Sequence, residues 1–109
     1  MATAYKVLGQ QAPSATTATG LYTVPASTET VISTIFVCNR GSTAATYRIS
    51  IRPNGDTQAN EHYIAYDALL LANDSIAITV GCTLDATDVV TVYASTANLS
   101  FNAFGSEIS

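Results

Sequence analysis

Apolar and polar positions in this chain alternate in short runs separated by clusters of turn residues, the pattern of half-buried strands. Leu21–Val24 is a first short run, closed by Pro25. Glu29–Asn39 places Val31, Ser33, Ile35 and Val37 on one face and Ile32, Thr34, Phe36 and Cys38 on the other. Both faces are apolar, which predicts a central strand with one side in the core and the other covered by an arm or a neighbour. The turn Asn39–Ser42 follows, where Gly41 is free to take a positive φ. Ala45–Arg52 then alternates cleanly, with Tyr47, Ile49 and Ile51 inward and Arg48, Ser50 and Arg52 outward.

The second half repeats the scheme. Pro53–Asp56 is a turn and the polar residues to Asn60 extend it into a loop. His62–Asp67 reads as a strand with Tyr63 and Ala65 on one face and His62, Ile64 and Tyr66 on the other. Ser75–Val80 turns Ile76, Ile78 and Val80 inward; Val89–Ala94 and Leu99–Phe104 complete the series, the last with Leu99 and Phe101 inward. Turns at Ala72–Asp74 and Leu84–Asp88 separate them, the Asp side chains there being suited to local bonds with the backbone. Counting the short apolar piece Tyr5–Leu8, the chain has about eight strands, which predicts an all-β, antiparallel two-layer β-sandwich. Immunoglobulin-like and jelly-roll connections both remain open. Gln10–Gly20 holds nothing that fills a core, so residues 1–20 are read as an extended N-terminal arm and 21–109 as the sandwich domain.

Composition sharpens this picture. A length of 109 residues suits one domain. The 16 Thr fit pleated sheet, while one Lys, three Arg and three Glu are too few to clothe the polar faces of several helices. A hydrophobic fraction of 48% with a net charge of −4 argues against disorder. Four scattered cations cannot neutralise a row of phosphates, so nucleic acid is not an expected partner. No apolar run is long enough to span a membrane, the run Ile64–Leu71 being broken by Asp67, and no secretory leader is expected from the opening residues.

Candidate chemistry is sparse. His62 is the one histidine, and alternation sends its neighbour Glu61 to the opposite face, so a partly exposed structural histidine is the expectation. Cys38 and Cys82 lie 44 residues apart; an inter-sheet bridge is geometrically possible, and two reduced thiols are favoured. Asp56, Asp67, Asp74, Asp85 and Asp88 fall in or beside turns without the spacing of a calcium loop, so neither metal nor cofactor is expected. No nucleophile or phosphate-loop motif occurs, which points away from an enzyme. Tyr63, Tyr66 and Tyr93, with Asn60 or Asp67 nearby, are the residues a glycan site would use.

Leu21–Pro25, Val37–Gly41, Ala72–Thr79, Leu84–Ser95 and Leu99–Ile108 together resemble the small β-sandwich virion proteins of tailed bacteriophages, marine and cyanobacterial ones included. The resemblance implies a non-enzymatic, multi-copy structural component of a virion, assembled in the bacterial cytoplasm. A capsid decoration or cement protein is the first expectation, with a tail, collar, baseplate or fibre accessory as the alternative and a carbohydrate-binding module as the third. Partners would be the major capsid protein or tail and neck proteins, together with further copies of the chain. Docking is expected through Tyr5, Val7 and Leu8 of the arm, which could add as a strand to an adjacent subunit, and through Arg40, Arg48 and Arg52, expected to cluster on one sheet face and its end.

Overall fold

Where one face of a segment is buried and the other is not, the strands of the computed structural model, which describes residues 2–109, begin and end where the alternation does. The strands are β1 (Thr3–Gln11), β2 (Thr19–Thr23), β3 (Glu29–Asn39), β4 (Ala45–Arg52), β5 (Tyr63–Leu70), β6 (Ser75–Leu84), β7 (Val89–Ala94) and β8 (Leu99–Ile108). They form two four-stranded antiparallel sheets, ordered β1-β8-β3-β6 (sheet A) and β2-β7-β4-β5 (sheet B). Every ladder is antiparallel. β1 pairs with β8, β2 with β7, β3 with β6 and β4 with β5. The chain is thus one long antiparallel ribbon whose successive pairs fall alternately in the two sheets. That is a jelly roll, and it decides between the two sandwich topologies.

The expected N-terminal arm is part of the fold instead. β1 runs along the whole of β8, from Thr3 opposite Ile108 to Gln11 opposite Phe101. Leu8 packs against the core and Pro13 in the following loop is buried. The rest of β1 is largely exposed on both faces, as suits an edge strand held by main-chain hydrogen bonds, which make no demand on side chains. Hence the absence of an alternating pattern there.

The core lies between the sheets. Ile32, Ile35 and Val37 of β3, with Phe101 and Ala103 of β8, meet Tyr47, Ile49, Val90, Val92 and Ala94 of sheet B. Tyr47 and Phe101 stack edge to face at 6.4 Å across the interface. Each large side chain buried here contributes about 1.5–3 kcal/mol. Strict alternation fails in β3: Ile32 and Ile35, three apart, are both fully buried. The register with both neighbours slips between Ile32 and Thr34, making Ser33 the extra residue against β8. At the same level of β6 sits Gly81, with φ of 58°.

Two buried polar residues tie the sheets together. The Asn39 side chain donates to the carbonyls of Thr43, Leu70 and Leu71 and accepts from the Gly41 N–H, so it anchors the end of β3 to the end of β5. Tyr22 of β2 makes hydroxyl hydrogen bonds to Thr30 of β3 and Glu107 of β8. Gly41 does not take a positive φ; a Cβ there would lie 2.7 Å from the Asn98 amide nitrogen, so a larger residue would have to displace the Asn98 side chain.

Candidate functional site

The outer face of sheet B carries the densest arrangement of polar and aromatic groups. Arg48, midway along β4, donates from Nε to Asp67 Oδ1 at 2.7 Å and from Nη2 to Oδ2 at 3.3 Å. The carboxylate reaches it because β5 bulges at Asp67, which has a φ of 50°. The guanidinium lies 4.3 Å from the Tyr66 ring centroid and 4.4 Å from that of Tyr93. The Asp67 hydrogen bond is the main cause that raises the Arg48 pKa above its ordinary range, so the group is a permanent cation. Tyr63 meets Tyr66 edge on, with centroids 4.8 Å apart and planes at 79°. Together with Asn60, these two rings line an open hollow of about 370 Å³, and Tyr66 is 58% exposed. One ring makes a floor, the other a wall, and an amide stands at the rim. Of the three tyrosines named from the sequence, Tyr63 and Tyr66 meet at an angle and are not coplanar, and Tyr93 joins Tyr66 through the Arg48 guanidinium.

The outer face of sheet A is different in kind. Tyr5 is 85% exposed, Val7 46% and Phe36 43%. Phe36 packs edge to face on Phe104 at 5.6 Å, and Val7 sits opposite Phe104 in the ladder. Tyr5, Val7, Val31 and Phe104 line a shallow, mainly apolar hollow of about 540 Å³. The charges beside it are Lys6 and Glu107, which bond to each other at 2.9 Å. Two hydrogen bonds, the first from Tyr22 and the second from Lys6, hold the Glu107 carboxyl below its ordinary pKa.

The residues expected to dock a partner do not form one surface. Tyr5 and Val7 are on the outer side of sheet A, whereas Leu8 turns into the core. Arg48 and Arg52 belong to β4 of sheet B, on the opposite side of the sandwich. Arg52 is held by Thr91 Oγ1 and the carbonyls of Gly55 and Asp56. Arg40, in the turn beyond β3, donates to the Ala97 carbonyl. Arg48 and Arg52 share the outward parity of β4 and Arg40 lies in the turn that leads to it, and each is engaged internally. Phe36 and Phe104 stand on the outer face of sheet A; the apolar character of both faces of Glu29–Asn39 signals the first, and parity with Ser100 and Asn102 the second.

A cleft of about 700 Å³ opens between the edge strands β5 and β6, lined by Asp56, Glu61, His62, Ile64, Val80 and Cys82 among others. His62 and Glu61 lie in a single 3₁₀ turn, Asn60–His62, so the alternation that was to separate them does not operate. His62 Nδ1 accepts the Ala59 N–H at 3.1 Å. Burial pushes the Cys82 thiol up, away from the thiolate a nucleophile needs. Among the described residues no group of three or more His, Cys, Asp or Glu side chains is placed to hold a metal ion. Cys38 and Cys82 are both in sheet A, where Cys82 faces Ile32, six residues along β3 from Cys38. That is a separation of about 20 Å, far beyond disulfide reach. Asp74, Asp85 and Asp88 accept hydrogen bonds from turn N–H groups, the chemistry expected of them. Compared with protein-family models, curated proteins and solved structures, the chain has no significant match.

Proposed function

We propose that this jelly roll is a non-enzymatic structural subunit of a tailed-phage particle, first of all a capsid decoration or cement protein. A tail, neck or baseplate accessory is the alternative placement. The observation that carries the reading is the outer face of sheet A, where Tyr5, Val7 and Phe36 stand in water around Phe104 with no free charge among them. An apolar patch on a sheet face is expensive to leave wet and characteristic of a surface that is covered on assembly. The resemblance of the strand and turn motifs to phage virion proteins supplies the kind of assembly. Here the face, with β1 as its edge, takes the docking role expected of a free arm.

Quantitative mass spectrometry of purified particles tests it. Hundreds of copies in simple ratio to the major capsid protein mean decoration, and a handful means neck or tail. No copies at all would end the virion reading. Val7→Lys and Phe36→Lys alter exposed side chains, so they should leave the chain folded while cutting its incorporation severalfold.

A second reading has its own observation. The Tyr63–Tyr66 corner with the Asn60 amide has the parts of a sugar-stacking site, a ring face with a hydrogen-bonding group beside it. A carbohydrate-binding module on a host-recognition structure would use it. Titration of bacterial surface glycans with a Tyr66→Ala control separates this reading from the first.

A further inference from the structure

The two sides of the sandwich are not alike. On one side β1 and β2 approach each other closely. On the other, β5 and β6 are both edge strands with the cleft between them. Of the eight large apolar side chains exposed among the described residues, Ile64, Tyr66, Leu69, Leu71 and Ile76 lie on β5, β6 or the turn joining them. Leu69 is 65% exposed and Leu71 58%. β6 itself, Ser75–Leu84, contains no charged residue, no proline and nothing that guards a free edge until the kink at Gly81. Its first six residues, Ser75–Val80, are uncharged and rich in β-branched side chains.

We propose that a second copy of this chain docks on this wall, its β6 pairing antiparallel with β6 of the first and joining two A sheets into one of eight strands. Three considerations favour a second copy. A strand that pairs antiparallel with itself is automatically two-fold symmetric, the commonest form of closed oligomer. β6 runs ten residues, about 33 Å, along the side wall, and the two shorter dimensions of the molecule are 27 and 19 Å. That matches the roughly 800 Å² per partner of a standard stable interface, more than one strand pairing alone would bury. Finally, the chain carries a net charge of −4, and β6 lets two copies meet along an uncharged strand. The acidic groups nearest it are Asp74 in the preceding turn, Asp85 directly after its last residue, and Asp56 and Glu61 beside the cleft, so association should tighten as salt screens them. The inference does not rest on the virion reading.

Sedimentation equilibrium of the purified full-length chain between about 1 and 100 µM tests it. The expected mass is twice the 11.4 kDa of one chain. Ala77→Lys and Thr79→Lys, both at exposed positions, should each weaken dimerisation at least tenfold with the circular dichroism spectrum kept, and the melting point kept at concentrations where parent and variant are both monomeric. Amides of Ser75–Val80 should gain hydrogen-exchange protection as concentration rises. Val7→Lys, on the outer face of sheet A, should leave the dimer intact, which keeps this test separate from that of particle incorporation. A monomer throughout the range, meaning that something other than a second copy covers the wall, would overturn the proposal. So would a dimer indifferent to both lysines but broken by Val7→Lys.

Discussion

Tyr22 ties the two sheets together through one atom. Its hydroxyl crosses from sheet B to two strands of sheet A, lying 2.8 Å from Thr30 Oγ1 and 2.5 Å from Glu107 Oε2. The side chain is only 8% exposed and Thr30 only 1%. Burial first, and then the Glu107 hydrogen bond, push the phenol from 10 up to about 12. Between those values the unfolded chain has released its Tyr22 proton and the folded chain has kept it. The unfolded state then binds fewer protons, so the unfolding free energy falls as pH rises. The contribution is complete below pH 10 and gone above about pH 12, and two pKa units correspond to about 3 kcal/mol.

Tyr22→Phe removes that limb. At neutral pH the variant should already be about 1–3 kcal/mol less stable, because Thr30 and Glu107 lose a donor or acceptor in a dry place. Between pH 9 and 12, however, its stability should fall about 3 kcal/mol less than that of the parent, so the two curves converge. Tyr47, also pushed up by burial, titrates in both proteins and cancels in the difference. The chain has no Trp, so urea unfolding is best followed by far-ultraviolet circular dichroism, which tyrosine ionisation hardly disturbs. The acid side gives a second check. The lowered pKa of Glu107 stabilises the fold above the ordinary carboxylate pKa and is lost as pH falls through the lowered one. Tyr22 is the larger cause, so the variant's acid limb should be shallower. Parallel curves on the alkaline side would refute the reasoning.

Removing residues 1–11 should destabilise the domain by at least about 3 kcal/mol, since it deletes the Leu8 contact with the core and a whole ladder along β8; urea titration of the truncated chain checks it. Gly9→Ala should act in the same direction, because a Cβ there would come within 2.0 Å of the Leu21 carbonyl oxygen and must push β1 from β2. Asn39→Leu should cost about 2–4 kcal/mol by stranding the carbonyls of Thr43 and Leu70 together with the Gly41 N–H; a melting point within a degree or two of the parent would contradict this. Reducing agent should leave the melting point unchanged, and Cys38→Ser should be as insensitive to it as the parent.

β3, β4 and β7 have the bounds that alternation predicts, because each has a series of sealed residues with most of the others left partly or fully open, even where a bulge or an open end breaks the strict period, as at Ser33 and Ile51. The predicted β5, β6 and β8 are too short: they continue to Leu70, Leu84 and Ile108, where edge position or a shallow face dilutes the pattern. β1 was legible over four residues of nine for the same reason. Ile76, placed inward by its parity with Ile78, is 41% exposed, since at the end of an edge strand no opposite strand covers it. Bulges were not legible at all. Whether Ser33 or Asp67 is the extra residue depends on the strand across the ladder, which is decided by tertiary pairing. The candidate site inherits that limit. Tyr63, Tyr66 and Tyr93 could be named, but the Asp67 bulge that delivers a carboxylate to Arg48, and Arg48 to two of the rings, could not.

The ribbon topology explains why one side of this sandwich is sealed and the other is free. Wrapping begins with the β4–β5 hairpin and ends with β1 on β8, so the two chain ends finish together in sheet A. On that side the molecule closes itself with polar ties, Lys6 to Glu107 and Glu107 to Tyr22, and with the close approach of Gly9 to Leu21. The far side consists of β5 and β6, joined to each other only through a short turn and carrying the greater part of the exposed aliphatic surface. A protein selected to stay monomeric would guard that edge with lysine or proline, and this chain places its single lysine on the sealed side. On the two proposals made above, the wall would face a second copy and the outer face of sheet A a particle. An isologous β6 contact closes at two copies, so a chain that used both would meet its particle as a dimer, leaving both sheet A outer faces free of the pairing edge.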